Sequence, residues 1–445
     1  MSDLLMTFYG DDFTGSTDAL EALTLGGVPS VLFIRPPTRE ELARDFSWTR
    51  AIGVAGSSRA MTPAQMDSAL PPVFRALHEL GAPICHYKVC STFDSSPAVG
   101  SIGRALELGA AEFDPTLIPI VIGAPWLRRY VIFGNLFAGV SAEHGPITYR
   151  LDRHPTMAHH PVTPMNESDL RLHLARQTDW PIGLIDLLLL DRPEDEIDDA
   201  VTAQLQADVR AILFDTLDSD HLLIIGRRLL REAQKRPLFI VGSSGVEGAL
   251  VAAWQAAGAI EPNRSLAAPT PVDQIVVMAG SASPATAEQL DWAKAHNFAC
   301  MPLDADLLVN PATLDAACET YCRAALEQLH QGLSVAFYSA WGRLPAQVLA
   351  SGPEYSRALG VAQGRLLRMI LERSGIRRAC IAGGDTSSRA VQQLGITALT
   401  VSAKLAPGSP LCRAHAPGRL FDGLELVLKG GQVGSADFFG QVRGG

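Results

Sequence analysis

The stretch Leu5-Met6-Thr7-Phe8-Tyr9-Gly10-Asp11-Asp12-Phe13-Thr14-Gly15-Ser16-Thr17-Asp18-Ala19-Leu20 decides how this chain is read. An apolar run of strand character ends at Gly10, two adjacent carboxylates follow, and Thr14-Gly15-Ser16 opens a helix. Strand ends of open parallel sheets face the ligand crevice, so this order puts Asp11 and Asp12 where substrates bind. One aspartate would suffice to cap the helix; two beside Gly15 point beyond capping, to function.

Outward from there, residues 4 to about 257 alternate short apolar runs with amphipathic segments, the pattern of parallel strands joined by crossover helices. Strands are expected near Leu5–Tyr9, Val31–Ile34, Ile52–Ala55, Ile84–Val89, Ile118–Ile122, Ile182–Ile185, Ala211–Phe214 and Leu238–Val241. Helical spacing is found over Ala64–Leu80, Glu167–Gln177, Glu194–Gln206 and Asp220–Gln234. Gly258–Asp273, with three prolines, reads as a linker. A second series follows, with strands near Ile275–Ala279, Phe298–Pro302, Ser334–Phe337, Ala379–Ala382 and Ala398–Val401, and helices near Ala285–His296, Pro311–Gln331 and Ala358–Ser374. The chain is therefore read as α/β: two tandem domains with mainly parallel sheets, residues 1–262 and 263–445.

The 445 residues are enough for two or three compact units, and 47% hydrophobic against 19% charged residues make a globular protein. Acidic residues outnumber basic ones by 47 to 37, a net charge of −10 that argues against nucleic acid as a partner. The start has an acid at Asp3 and no basic region, and the longest apolar stretch, Leu117–Leu127, carries two prolines and is too short to span a bilayer. No membrane association and a cytoplasmic location are the expectations. Seven scattered cysteines suit free thiols. Cys318 and Cys322, four residues apart, fit one apolar helix face better than a metal site.

Two further motifs carry chemistry. Tyr87-Lys88-Val-Cys-Ser91-Thr92-Phe-Asp94-Ser95-Ser96 follows a strand and gathers an ammonium, an acid and several hydroxyls, which suits a polyhydroxylated anionic substrate. Only five lysines occur in the chain, so Lys88 stands out. Cys380-Ile-Ala-Gly383-Gly384-Asp385-Thr386-Ser387-Ser388 is a strand, a glycine pair and a helix start; the glycines let backbone amides approach phosphate oxygens. Ala279-Gly280-Ser281-Ala282-Ser283-Pro284 and Ala406-Pro407-Gly408-Ser409-Pro410 are small-residue loops of the same half, and the three together suggest a nucleotide crevice. No P-loop signature, dinucleotide fingerprint or nucleophile elbow occurs. Gly242-Ser243-Ser244-Gly245 reads as a helix entry near the nucleotide, and His154, His159 and His160 as a loop that contacts substrate or only solvent rather than a metal site.

Taken in order, these motifs resemble the four-carbon acid sugar kinases, which phosphorylate D-threonate, D-erythronate or 3-oxo-tetronates at O4. The family's Ala-Asp-Asp-x-Thr-Gly is matched by Gly10–Gly15, its Lys-x-x-Ser-Thr-Phe-Asp-Ser by Lys88–Ser95, its His-Pro-x-Thr-Pro-Met by His160–Met165, its Gly-Ser-x-Ser by Gly280–Ser283 and its Gly-Gly-[Asp/Glu]-Thr by Gly383–Thr386. Departures are Gly10 for alanine, Val99-Gly-Ser-Ile-Gly103 for Gly-Asn-Ile-Gly, and Trp126-Leu-Arg-Arg-Tyr-Val-Ile-Phe-Gly for Phe-Pro-x-x-Gly-Arg-Thr. They bear on which acid is used.

The resemblance implies a sugar-acid domain followed by a nucleotide domain, an active site in the cleft between them, and ATP with Mg2+ as cofactors. Arg59, Lys88, Ser91, Thr92 and His160 would bind the acid, Arg59 pairing with its carboxylate. Asp12, or alternatively Asp11 or Asp94, would accept the hydroxyl proton. Ser281, Ser283, Gly383, Gly384, Asp385, Thr386 and Gly408 would surround ATP. The metal ligands and the oligomeric state stay open. Two competing readings are a non-catalytic sugar-acid or nucleotide sensor and an ATP-independent, metal-assisted enzyme acting on sugar acids.

Overall fold

A computed structural model describes residues 4–140, 145–159, 162–263, 266, 268–342 and 352–444, with the backbone alone at His159, Pro353 and Asp385. Packing divides the chain into two units. The first holds the chain up to Asp11, Ala22–Val31 and Pro36–Asn263; the second holds Asp12–Glu21, Leu32–Arg35 and the chain beyond Asn263.

In the first half of the sequence the strands are β1 (Met6–Gly10), β2 (Ser30–Phe33), β3 (Ala51–Ala55), β4 (Ile84–Lys88), β5 (Ile118–Val121), β6 (Arg129–Ile132), β7 (Asn135–Val140), β8 (Ile147–Arg150), β9 (Ile182–Ile185), β10 (Ala211–Phe214) and β11 (Leu238–Gly242). The first unit's main sheet runs β3-β1-β4-β11-β5-β10-β9, every neighbouring pair parallel. Such strands are covered on both faces and so read as unbroken apolar runs, which is why the sequence locates them. Order reverses at β1, with β3 on one side and β4 on the other, and the crevice of an open sheet lies outside the strand ends at such a reversal. Asp11 leaves β1 there, and the segment after Lys88 leaves β4.

Helix Pro63–His78 shows how a cover is built. Thr62 and Gln65 form a reciprocal cap, Pro63 begins the first turn, and Met66, Leu70, Phe74 and Leu77 are buried. Phe74 meets Tyr9, Tyr87 and Phe239 edge-on at 5.5–6.1 Å, and burial of this cluster stabilises the sheet by roughly 25 cal/mol per Å² of apolar surface.

Two expectations needed correction. The helix expected over Glu167–Gln177 is confined to Leu170–Leu174, because Asp169 caps it and begins the helix late. Strands β6, β7 and β8 form a separate antiparallel sheet that the periodicity did not reveal. Its first turn places Phe133 (φ 48°) and Gly134 (φ 77°) in left-handed conformation, the geometry of a tight hairpin with an aromatic where Asn is usual.

The second unit contains β12 (Val276–Ala279), β13 (Phe298–Pro302), β14 (Ser334–Tyr338), β15 (Arg378–Ala382), β16 (Ala398–Ala406), β17 (Ser409–His415) and β18 (Glu425–Lys429). The order is β13-β14-β12-β15-β18-β17-β16. The first five are parallel; β17 runs against both neighbours. Leu32 and Phe33 extend this sheet antiparallel to Leu399 and Ala398. The antiparallel end is the addition to the sequence reading, which took Gly408 as a loop without seeing the hairpin it turns. Cys318 and Cys322 are both buried on helix Leu314–His330, as the core reading expects.

Candidate functional site

In the first unit the site grows from the ends of β1 and β4. The Asp11 amide donates to the Lys88 carbonyl (2.9 Å), and the Arg59 amide to the Asp11 carbonyl (3.1 Å). These bonds lock three sequence-distant motif residues together. The Arg59 guanidinium donates to Asp11 through Nη2 (2.7 Å to Oδ1) and Nε (3.2 Å to Oδ2). The fork expected to meet a substrate carboxylate is therefore already matched to a carboxylate of the protein. Lys88 is buried, its ammonium donating to the Val89 carbonyl (3.1 Å). Below it Tyr9 and Tyr87 stack with centroids 5.9 Å apart. Burial pushes the Tyr9 phenol up to about 12, so it stays neutral.

The segment after β4 is a chain of short contacts. Thr92 donates to Asp94 (2.7 Å) and its Oγ1 lies 2.9 Å from the Cys90 sulfur. Ser95 donates to the Phe93 carbonyl (2.9 Å) and meets His173 Nε2 (2.8 Å) and the Gln177 amide (2.9 Å). His173 is buried and pushed down to about 4, so it is neutral. Ser91 is half-buried. Phe93 holds φ at 58° while fully buried, a strained conformation for an aromatic residue that surrounding packing must impose.

Arg129, at the start of β6, is a residue the sequence reading missed. Its Nη1 donates to the carbonyls of Leu127 (2.9 Å) and Gly139 (3.1 Å), while Nε is buried without a partner. Burial lowers its pKa, and Cys90, Asp94 and His154 all share its electrostatic neighbourhood. A pair of arginines a few residues after a buried strand was the available signal. His154 is buried and accepts the Thr156 and Met157 amides (3.2 Å each), a capping role. His160 lies outside the described residues. Ser243 and Ser244 count with the first unit, and Ser243 donates to the Ile122 carbonyl (2.6 Å).

The second unit contains Asp12 and the small-residue loops. Asp12 is 4% exposed; it accepts from Thr14 Oγ1 (2.6 Å) and the Gly15 amide (2.7 Å). A Cβ added at Gly384 would sit 3.0 Å from Asp12 Oδ2, so the glycine pair lies directly against this carboxylate. The neighbouring parallel strands β12, β15 and β18 are in register, Ala279 beside Ala382 and Ala382 beside Lys429. Their exits, Gly280–Ser283, Gly383–Thr386 and Gly430–Gly431, therefore line one edge. Gly383 has φ 123°, a value only glycine adopts easily, and a Cβ at Gly280 would strike Thr386 Oγ1 at 1.9 Å. The amides of Gly280 and Ser281 both reach the Ala382 carbonyl (2.9 and 3.1 Å). Ser283 caps helix Pro284–Ala295 and donates to the Gly431 carbonyl. Gly408 turns the β16–β17 hairpin, but its amide is taken by Glu21 (2.6 Å).

Lys429, also missed, ends β18: the run Leu426–Leu428 before it was not read as a strand. It is completely buried, and its ammonium donates to Thr286 Oγ1 (3.1 Å), the Gly430 carbonyl (3.0 Å) and the Gly431 carbonyl (3.1 Å). Among the described residues no three His, Cys, Asp or Glu gather to hold a metal. No described helix is long and apolar enough to cross a membrane.

The sequence profile of a sugar-binding N-terminal domain matches residues 6–250, and that of a nucleotide-binding C-terminal domain matches 276–439. The chain is 48% identical to a 3-oxo-isoapionate kinase of Paraburkholderia graminis, covering 99% of this chain and 94% of that one. It is 32% identical to a 3-oxo-tetronate kinase of Methylobacterium radiotolerans, covering 97% of both. A crystal structure of a protein from Salmonella typhimurium LT2 shares the fold with a TM-score of 0.77 at 27% identity, over 98% of both chains. Full-length matches of this kind, with both halves recognised, show that the chain belongs to the four-carbon acid sugar kinase family.

Proposed function

We propose that this protein transfers the γ-phosphoryl group of ATP to the terminal hydroxyl of a small 3-oxo sugar acid, of the 3-oxo-isoapionate or 3-oxo-tetronate kind. The 48% identity to a 3-oxo-isoapionate kinase along almost the entire chain carries this reading. The first unit serves mainly the sugar acid and the second, which includes Asp12, the nucleotide.

Phosphoryl transfer needs positioning, neutralisation of charge and removal of one proton more than it needs covalent chemistry from the protein. Lys88, Arg59 and Arg129 supply positive charge for an anionic substrate. Ser91, Thr92, Asp94 and His160 recognise its hydroxyl and oxo groups. Asp12 takes the hydroxyl proton: it is a buried carboxylate held by two donors and set against Gly384. Asp11, tied to Arg59, orients that cation rather than acting as base. Ser281, Ser283, Gly383, Gly384, Asp385, Thr386 and Gly408 surround the nucleotide, although the Gly408 amide must first leave Glu21 to serve a phosphate.

A bound Mg2+ would neutralise phosphate charge, and it ordinarily takes one or two carboxylates together with phosphate oxygens rather than a protein cage. Asp12, a buried carboxylate set against Gly384, fits that need.

The test is ADP release by the purified protein with 3-oxo-isoapionate, 3-oxo-tetronates, D-threonate and D-erythronate. Highest kcat/KM on a 3-oxo acid is expected. Product formation from a sugar acid without ATP, or ligand binding with no turnover of any acid, would reject the kinase in favour of an ATP-independent enzyme or a sensor.

A further inference from the structure

Among the described residues Lys429 is a buried cation with no anion of its own. Its three hydrogen bonds go to a threonine hydroxyl and two peptide carbonyls, and among the described residues no carboxylate stands within ion-pair distance of it. Among the described residues the one titratable group facing it is Cys380 on the adjacent strand β15, and burial pushes that thiol up to about 12, so it carries no compensating charge at neutral pH. The other neighbours, Thr286 on helix Pro284–Ala295 and the turn Gly430–Gly431, are uncharged.

Isolated charges are costly inside a protein, and buried ones are ordinarily paired. Here the cost is visible as a downward displacement of the ammonium to about 8. The position is equally telling. Lys429 lies beside Ala382 in register, and its carbonyl accepts the Gly383 amide (2.8 Å). Its ammonium joins Thr286 to Gly431, whose carbonyl also accepts from Ser283. The exits of β12, β15 and β18 thus converge around Lys429, through its backbone carbonyl at Gly383 and through its ammonium at Thr286 and Gly430–Gly431.

We propose that Lys429 is a nucleotide-binding residue whose missing counter-ion is a phosphate group of the nucleotide, and that the turn Gly430–Gly431 is a third wall of the phosphate site. This rests on the nucleotide reading of the second unit. An anion arriving beside the ammonium favours its charged form, so nucleotide binding takes up a proton once the pH approaches 8, and affinity falls as pH rises through that value.

The experiment is calorimetric titration of the full-length protein with ADP and with adenosine at pH 7 and 9, in buffers of different ionisation enthalpy, for wild type, Lys429→Met and Lys429→Arg. Wild type is expected to take up protons on binding ADP at pH 9, with little uptake at pH 7 and none with adenosine. Lys429→Met should bind ADP at least tenfold more weakly at pH 7 and adenosine unchanged, while Lys429→Arg keeps ADP affinity and loses its pH dependence. The proton uptake is read on wild type and so survives a variant that fails to fold. ADP binding without proton uptake, or a folded Lys429→Met that binds ADP as wild type does, overturns the assignment of Lys429 alone. A wild-type protein that binds neither ADP nor adenosine overturns the nucleotide reading with it.

Discussion

Arg59 and Asp11 hold one another through two hydrogen bonds, 2.7 and 3.2 Å long, with the carboxylate almost fully buried and the guanidinium side chain 22% exposed. The fork is fixed by protein where it meets Asp11, and the side chain is not fully buried. A planar fork suits this paired contact and an ammonium does not. Arg59→Lys is expected to raise KM for the sugar acid about tenfold or more while KM for ATP stays within about twofold. Steady-state kinetics with each substrate varied in turn measure the split; equal effects on both would show that Arg59 serves only the fold.

Asp12→Asn keeps one acceptor oxygen, for the Gly15 amide, and puts an NH2 donor where Oδ2 accepted from Thr14, whose hydroxyl can turn to accept instead. The fold should therefore survive, and kcat should fall by roughly 10²–10⁴, the usual contribution of a general base. Nucleotide affinity measured by titration should change little. A variant retaining more than a third of wild-type kcat would move the proton acceptor elsewhere.

Gly384→Ala separates activity from stability. The glycine opens helix Gly384–Gln393, where alanine is the better helix former by up to about 1 kcal/mol. Its new methyl, however, would press on Asp12 Oδ2 from 3.0 Å. Thermal melts should show Tm unchanged or raised, while kcat falls ten- to hundredfold because a small displacement of a reacting group is costly.

Glu21 makes stability depend on pH. Burial pushes its carboxyl from 4.5 up to about 7, against the lowering effect of the Gly408 amide. The folded chain thus holds the Glu21 proton more tightly than the unfolded chain. Its stabilising contribution is complete below pH 4.5 and lost as pH rises through about 7, on the order of 3 kcal/mol. Glu21→Gln mimics the protonated form, so it should match wild type in denaturant melts at pH 4.5 and exceed it at pH 8. A gap that does not change with pH would exclude this coupling.

What the sequence revealed follows from where each residue sits. Strands such as Ile84–Lys88 and Leu238–Gly242 are covered on both faces, and their apolar runs announce them. Asp11, Asp12, Lys88 and Asp94 were visible because charges directly after such runs are out of place in a core. β6 to β8 stayed hidden because they are short, only partly buried, and turned by Phe133-Gly134, which carries no familiar turn composition. Arg129 went unseen with them. Lys429 was hidden for another reason: it is the last residue of a strand that the reading did not draw, so its place beside Gly383 could not be inferred without the strand order.

That strand order also sets a timetable for biosynthesis. Asp11, Arg59, Lys88 and Asp94 all leave the ribosome early, whereas the three exits at Gly280, Gly383 and Gly430 are spread widely along the chain and meet only when β18 inserts between β15 and β17. Domains of a growing chain generally fold in the order they emerge. The first unit can therefore mature while the second still lacks the strand that carries Lys429, and a nascent chain stalled before residue 425 would present a formed first unit beside a second that has yet to receive β18.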